Sequence, residues 1–257
     1  MINTDEIKDF LEAKVLQFNT IDFIEDDPIS IPHRYTEKED VEIAGFLASS
    51  IAWGNRKMIK KNGLRLMAMM SESPYDFVIN HQEHHLEKLA GFAHRTFNSE
   101  DLLYFIKALR HIYTSMNGLE DIFFRFQQND SLQPAIHQLH EVFFEISHPK
   151  RTVKHLADPN KGSAAKRINL FLRWMIRNDN SGVDFGLWKS ISPSKLSCPL
   201  DIHSGNVARK LGLLKRKQND AKAVEELDNV LRLLDPQDPV KYDFALFGLG
   251  VEEKFCE

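Results

Sequence analysis

Apolar residues recur three and four positions apart along nearly the whole chain, the spacing that gathers them on one face of an α-helix. Ile7, Phe10, Leu11, Val15 and Phe18 form the first such stripe. Thr36 followed by Glu39 reads as a capping box opening a helix that buries Ala44, Leu47, Ala48 and Ile51. Lys57–Met70 carries Ile59, Leu64 and Met67 among bases, and Ser99 is placed to cap a helix lined by Leu102, Leu103, Ile106, Leu109 and Tyr113. Further stripes run from Ala135 to Ile146, from Ala164 to Met175, from Leu200 to Leu214 and from Asp220 to Leu234. Asp238-Pro239 puts proline in a favoured first turn ahead of a last helix over Tyr242–Leu249. Alternating strand patterns are almost absent, and the linkers, at Asn129–Ser131, Asp158–Lys161 and Asn178–Gly182, are short and polar. The pattern predicts an all-α fold of about ten helices.

Composition narrows the class. The 257 residues are 42% hydrophobic and 27% charged, which suits a soluble globular chain able to bury a core without staples. Two cysteines, Cys198 and Cys256, are too few for a disulfide scaffold, a four-thiolate zinc site or a four-cysteine iron–sulfur cluster. No apolar run is long enough for a transmembrane helix, and Met1–Phe18 mixes acids and lysines unlike a signal peptide. The expectations are a cytoplasmic monomer with no membrane partner, no cofactor and no metal. His81, His84 and His85 have helical spacing but lack partners at metal-site intervals, and read as a solvated polar stretch.

The net charge of −4 excludes a uniformly basic nucleic-acid binder, so the distribution of charge matters more. From Pro149 to Arg177 eight bases stand against Asp158 alone, a local charge of +7. Lys166, Asn169, Arg173 and Arg177 fall on one helical stripe, which could track phosphates or could be a solvated face. The turn Asp158–Ser163 feeds this helix, and Gly162 allows another backbone to come close; helix starts of this kind bind phosphate. Further on, Pro199-Leu200-Asp201 places an aspartate where a helix begins, the position of an ordinary N-cap.

Cys198-Pro199-Leu200-Asp201-Ile202-His203, followed by Val207, Arg209 and Leu211-Gly212-Leu213, resembles the signature of the helix-hairpin-helix (HhH-GPD) DNA glycosylase superfamily. Leu47-Ala48-Ser49-Ser50 with Trp53-Gly54-Asn55 resembles its early helix and DNA-facing turn. Gly91–Arg95 resembles the opening of its next helix, and Tyr242–Gly250 its closing helix. The resemblance spans roughly Val41 to Val251. Lys161–Arg167, Phe171–Met175 and Asp243–Gly248 also resemble an uncharacterised bacterial branch of that superfamily. The hairpin, Leu156–Lys166, departs from the pattern: its first glycine is missing, Ala164 stands at the usual lysine position, and Lys166 comes two residues later. Lys166 and Asp201 are 35 residues apart, longer than the common interval.

The resemblance implies a two-lobed glycosylase-like unit over 1–257, with a middle lobe at about 46–197 and a second lobe from 1–45 with 198–257. It implies excision of a damaged base from duplex DNA. Asp201 would stabilise positive charge on the sugar, and Lys166, or failing it Lys161, would attack the sugar carbon. Lys161, Gly162, Ser163, Arg167, Arg173, Arg177 and Asn55 are the expected DNA contacts. Trp53, Trp174 and Trp188 are the candidates for stacking on a flipped base, although buried tryptophan is common in any core. Two rivals remain: a non-catalytic nucleic-acid-binding module on the same scaffold, and an all-helical enzyme for a small phosphorylated ligand. A lysine amine within roughly 5 Å of Asp201 favours the bifunctional enzyme; a solvent-facing lysine favours the module.

Overall fold

The computed structural model describes residues 4–128 and 130–256. The chain is predominantly helical, as expected. In order, α1 is Thr4–Phe18, α2 Asp22–Asp26, α3 Lys38–Ser50, α4 Arg56–Met69, α5 Pro74–Asn80 and α6 Glu83–Leu86. Then come α7 Ser99–Ser115, α8 Leu119–Phe126, α9 Gln133–Phe143, α10 Lys166–Ile176, α11 Ile202–Lys210, α12 Ala221–Leu234 and α13 Tyr242–Val251. Short 3-10 turns join many of them. Among the described residues the only sheet is an antiparallel pair of two-residue strands, β1 (Ala93–His94) and β2 (Phe97–Asn98).

Several boundaries differ from the sequence pattern for local reasons. The helix α3 starts at Lys38 with Glu37 as a cap that makes no side-chain bond, so Thr36 forms no capping box. Asn98, not Ser99, caps α7. Its carboxamide accepts from the Glu100 and Asp101 amides, and the Asp101 carboxylate accepts from the Asn98 amide. Gly91–Arg95 opens no helix: it leads into the β1–β2 hairpin, with Arg95 at φ 54°. His81 is buried and bonds back to the Phe77 and Val78 carbonyls, while His84 is exposed. Of the expected linker at 129–131, Asn129 lies outside the described residues, as do Met1, Ile2 and Asn3 of the segment Met1–Phe18.

The chain forms two compact units. Among the described residues, unit one takes those up to Phe23, then Gln128–Pro134 and everything from Asp158 onward. Unit two is Ile24–Gln127 with Ala135–Ala157. Unit one thus includes 158–197, which the lobe limits expected from sequence group with the middle of the chain.

Unit one is built around α13, whose Phe244, Ala245, Leu246 and Leu249 are fully buried. A helix apolar all round must be covered on every side, and here α1 and α11 both pack on it. The approach needs glycine: a Cβ on Gly248 would sit 2.3 Å from the Phe18 ring of α1, and one on Gly250 would sit 3.0 Å from His203 of α11. Leu11, Val15, Leu200, Val207, Leu227 and Leu231 complete this core. Unit two packs α3, α5 and α7 together. Its centre is aromatic: Phe105 lies edge-on to Phe143 at 4.8 Å and to Phe97 at 5.0 Å.

Candidate active site

Two helix starts in unit one bring chemistry together. Asp201 caps α11: its Oδ1 accepts from the His203 amide at 2.8 Å and the Ser204 amide at 3.0 Å, and the Ser204 hydroxyl oxygen accepts in turn from the Asp201 amide. That leaves Oδ2 turned towards α10. Lys166 is the first residue of α10, and its Nζ lies 3.6 Å from Asp201 Oδ2. Both side chains are partly open to solvent, at 31% for the lysine and 21% for the aspartate. The backbone entering α10 is bent for this: Ala165 sits in the left-handed region at φ 46°, which costs a non-glycine residue about 1–2 kcal/mol. Before it, Gly162 adopts φ 85°, and Ser163 accepts from the Ala165 amide at 3.1 Å. Beside the pair, Ile202 is 70% exposed.

Beneath the pair lies a buried ionic network that the sequence reading did not foresee. Arg173 and Arg177 are each 2% exposed. Arg173 pairs with Asp184 and Asp243 and lies 4.2 Å above the Phe244 ring. Arg177 pairs with Asp179, Asp184 and Asp238. Asn169, on the same stripe, is buried too, donating to the Ala164 carbonyl and accepting from Gln133. The helical stripe is therefore neither a phosphate track nor a solvated face. Four carboxylates from 179, 184, 238 and 243 neutralise it, and only Lys166 emerges. As DNA contacts Arg173 and Arg177 are overturned: guanidiniums 2% exposed and paired with buried carboxylates are out of a phosphate's reach.

Asp243 links this network to the surface pair. Burial pushes its carboxyl up to about 6, Arg173 pulls the other way, and the nearby Asp201 charge adds to the rise. The Cys198 thiol donates to it at 3.7 Å, and burial with three surrounding aspartates pushes that thiol up. Cys198 is thus a protonated structural donor rather than a nucleophile. Asp228, buried on α12, accepts from the Cys198 amide at 2.9 Å, and burial raises its carboxyl to about 6.

The remaining expected residues scatter. Lys161 is exposed and 3.5 Å from Asp158, and the position of a Cβ on Gly162 would meet open space. Arg167 is half-buried, its guanidinium brought down to about 10 by desolvation, and it stays a cation at neutral pH. Trp174 and Trp188 are fully buried, the latter edge-on to Phe171 at 5.4 Å, so neither can receive a flipped base. In unit two Trp53 is half-buried, with His94 edge-on at 5.0 Å and His155 stacked at 6.1 Å. Asn55 is exposed there, but its side chain caps α4 by accepting from the Met58 amide.

A family model described as "Protein of unknown function (DUF2400)" matches residues 27–252. The chain belongs to the DUF2400 family. No curated protein and no solved structure matches it. In this DUF2400 chain Lys166, Asp201, Arg173 and Asp243 all fall within the matched span, whereas α1 lies before it. No described helix is long and apolar enough to cross a membrane.

Proposed function

We propose that this DUF2400 protein is a helix-hairpin-helix glycosylase-like enzyme that releases a base from nucleic acid. The observation that carries the reading is the 3.6 Å between Lys166 Nζ and Asp201 Oδ2, residues 35 positions apart that folding brings together at one partly exposed spot. A carboxylate at that place stabilises the positive sugar that develops as the C1′–N bond breaks. A water can then add to C1′ and lose a proton, giving hydrolysis. Alternatively the Lys166 ammonium passes a proton to the departing base, and the freed amine forms the bond to C1′ while the old bond pair leaves with that base. One amine proton passes to Asp201 or water, and ring opening yields a Schiff base.

The test is a panel of lesion-bearing duplexes. Asp201→Asn should lower base release by about a hundredfold or more while melting as the parent does, because asparagine caps a helix as well as aspartate. Borohydride should trap a protein–DNA adduct that Lys166→Gln abolishes. Absence of base release from every lesion, with the parent protein bound, overturns the enzyme.

A second reading is supported by the same geometry. Asp201 already serves as the cap of α11 and Lys166 as its ion-pair partner, so the pair can be structural, leaving a nucleic-acid-binding module without chemistry. Binding to nucleic acid with no base release from any lesion, and unchanged by Asp201→Asn, favours the module.

A further inference from the structure

With Arg173 and Arg177 turned inward, a cluster of exposed positive charge in unit one lies elsewhere, in the loop between α11 and α12. Lys215, Arg216, Lys217, Gln218, Lys222 and Glu226 line an open cleft of about 530 Å³. The two acids at this place are already engaged. Glu226 accepts from the Lys215 backbone amide at 2.6 Å. Asp220 pairs with Arg216, which holds its carboxyl down at about 2, and it also caps α12 by accepting from the Ala223 amide. Lys215, Lys217 and Lys222 are exposed, and among the described residues none has a carboxylate within 4.0 Å of its ammonium. Around this concavity four cations stand against the carboxylates of Glu226 and Asp220, a local surplus of positive charge on a chain whose net charge is −4, and an anion would offset it.

The cleft is also wired to the candidate site. The Ala221 amide donates to the Gly162 carbonyl at 3.1 Å, and Ser163 bridges to Asp220, so the turn ahead of α10 and the start of α12 are joined backbone to backbone. On the other side, Asn219 donates to the Asp201 carbonyl at 2.7 Å and accepts from Arg209, whose Nε holds the Arg216 carbonyl at 2.7 Å. Gly205 leaves room for this: a Cβ there would stand 2.8 Å from Asn219 and 2.9 Å from Arg209. The basic loop is therefore held in a set position relative to both Lys166 and Asp201.

We propose that the 215–222 cleft binds the phosphodiester backbone of the nucleic-acid strand whose nucleotide reaches Asp201. The proposal rests on the reading that this pair acts on nucleic acid, and the two can fail separately. Phosphates are the anions that recur along such a strand, and several lysines bind them as point charges without base selection.

The probe is a fluorescein-labelled 20-nucleotide DNA, single-stranded and as duplex, followed by anisotropy across a salt series with the full chain. Replacing Lys215, Lys217 and Lys222 together by glutamine should weaken binding at least tenfold and flatten the log K against log salt slope by about 2 to 3. Lys8, Lys88 and Lys107, none of which lines the cleft, make the same change in net charge when replaced by glutamine, and should leave binding within about twofold. Equal losses in both triple variants, or none in the first, or a parent protein that binds neither DNA form, overturn the cleft. Displacement of the DNA by inorganic phosphate at equal phosphorus concentration assigns the cleft to a free anion, and equally tight binding of polyglutamate assigns it to an acidic protein; either overturns the strand. Cleft-dependent binding with no base release in the parent leaves the cleft standing and removes the enzyme reading.

Discussion

Two basic stretches of unit one, α10 with its end and the 215–222 loop, look alike as strings and behave in opposite ways. In α10 and its cap residue, Arg173 and Arg177 point inward to carboxylates supplied from 179, 184, 238 and 243. In the loop, one cation of four is paired with the acid four residues on, and three lysines face water. The residue type follows the difference. Arginine, with five donors in a rigid fork, can satisfy several buried carboxylates at once, while a lysine's compact, strongly hydrated charge stays outside. A count of local charge thus measures how many cations a segment holds, and not which of them remain available to a ligand.

The sharpest break between the two regions is in stability. Arg173→Ala leaves Asp184 and Asp243 short of a buried partner and should cost about 3–5 kcal/mol in urea unfolding, whereas Lys217→Ala should stay within about 0.5 kcal/mol. Similar losses in both would mean that the inward network contributes nothing special.

Acid titration separates the regions by sign. Asp243 and Asp228 hold their protons more tightly folded than unfolded, with carboxyls at about 6 against an ordinary 3.8. Their contribution is present below pH 4 and is lost as pH rises through about 6, by about 2–3 kcal/mol for each group. Asp220 in the loop runs the other way, present above the ordinary value and lost as pH falls through about 2. Urea midpoints from pH 4 to 7.5 should therefore show a falling component that Asp243→Asn reduces by about half and Asp220→Asn leaves in place.

The smallest effect tests the wiring between loop and site. In Gly205→Ala the new methyl displaces the ends of Asn219 and Arg209. Stability should drop by about 0.5–1.5 kcal/mol, the net contribution of a hydrogen bond, with strand binding weakened severalfold. Unchanged binding alongside the stability loss would uncouple the loop from Asp201.

Much of this was legible in the residue string. The stripes of Leu11 and Val15, of Leu102, Ile106 and Leu109, and of Leu227 and Leu231 are buried helix faces, because a 3.6-residue period carries its own geometry. Asp201 and Asp220 were readable as helix starts because a cap is a local bond, closed within three residues. The Asx-type cap at Asn98 shows the limit even there, since Ser99 beside it is an equally good capping residue and only the backbone angles choose between them.

What the sequence determined alone was whatever closes over a few residues: helical class, the approximate span of each helix, the caps, and a lysine and an aspartate each at the start of a helix. The tertiary structure decided the rest. It turned Arg173 and Arg177 inward, buried Trp174 and Trp188, set Lys166 against Asp201 across 35 residues, and left Lys215, Lys217 and Lys222 in water. The physical reason is range. A backbone hydrogen bond in a helix reaches four residues, whereas a charge takes its partner from any segment that packing brings within a few ångströms, and that choice is made by the core around α13.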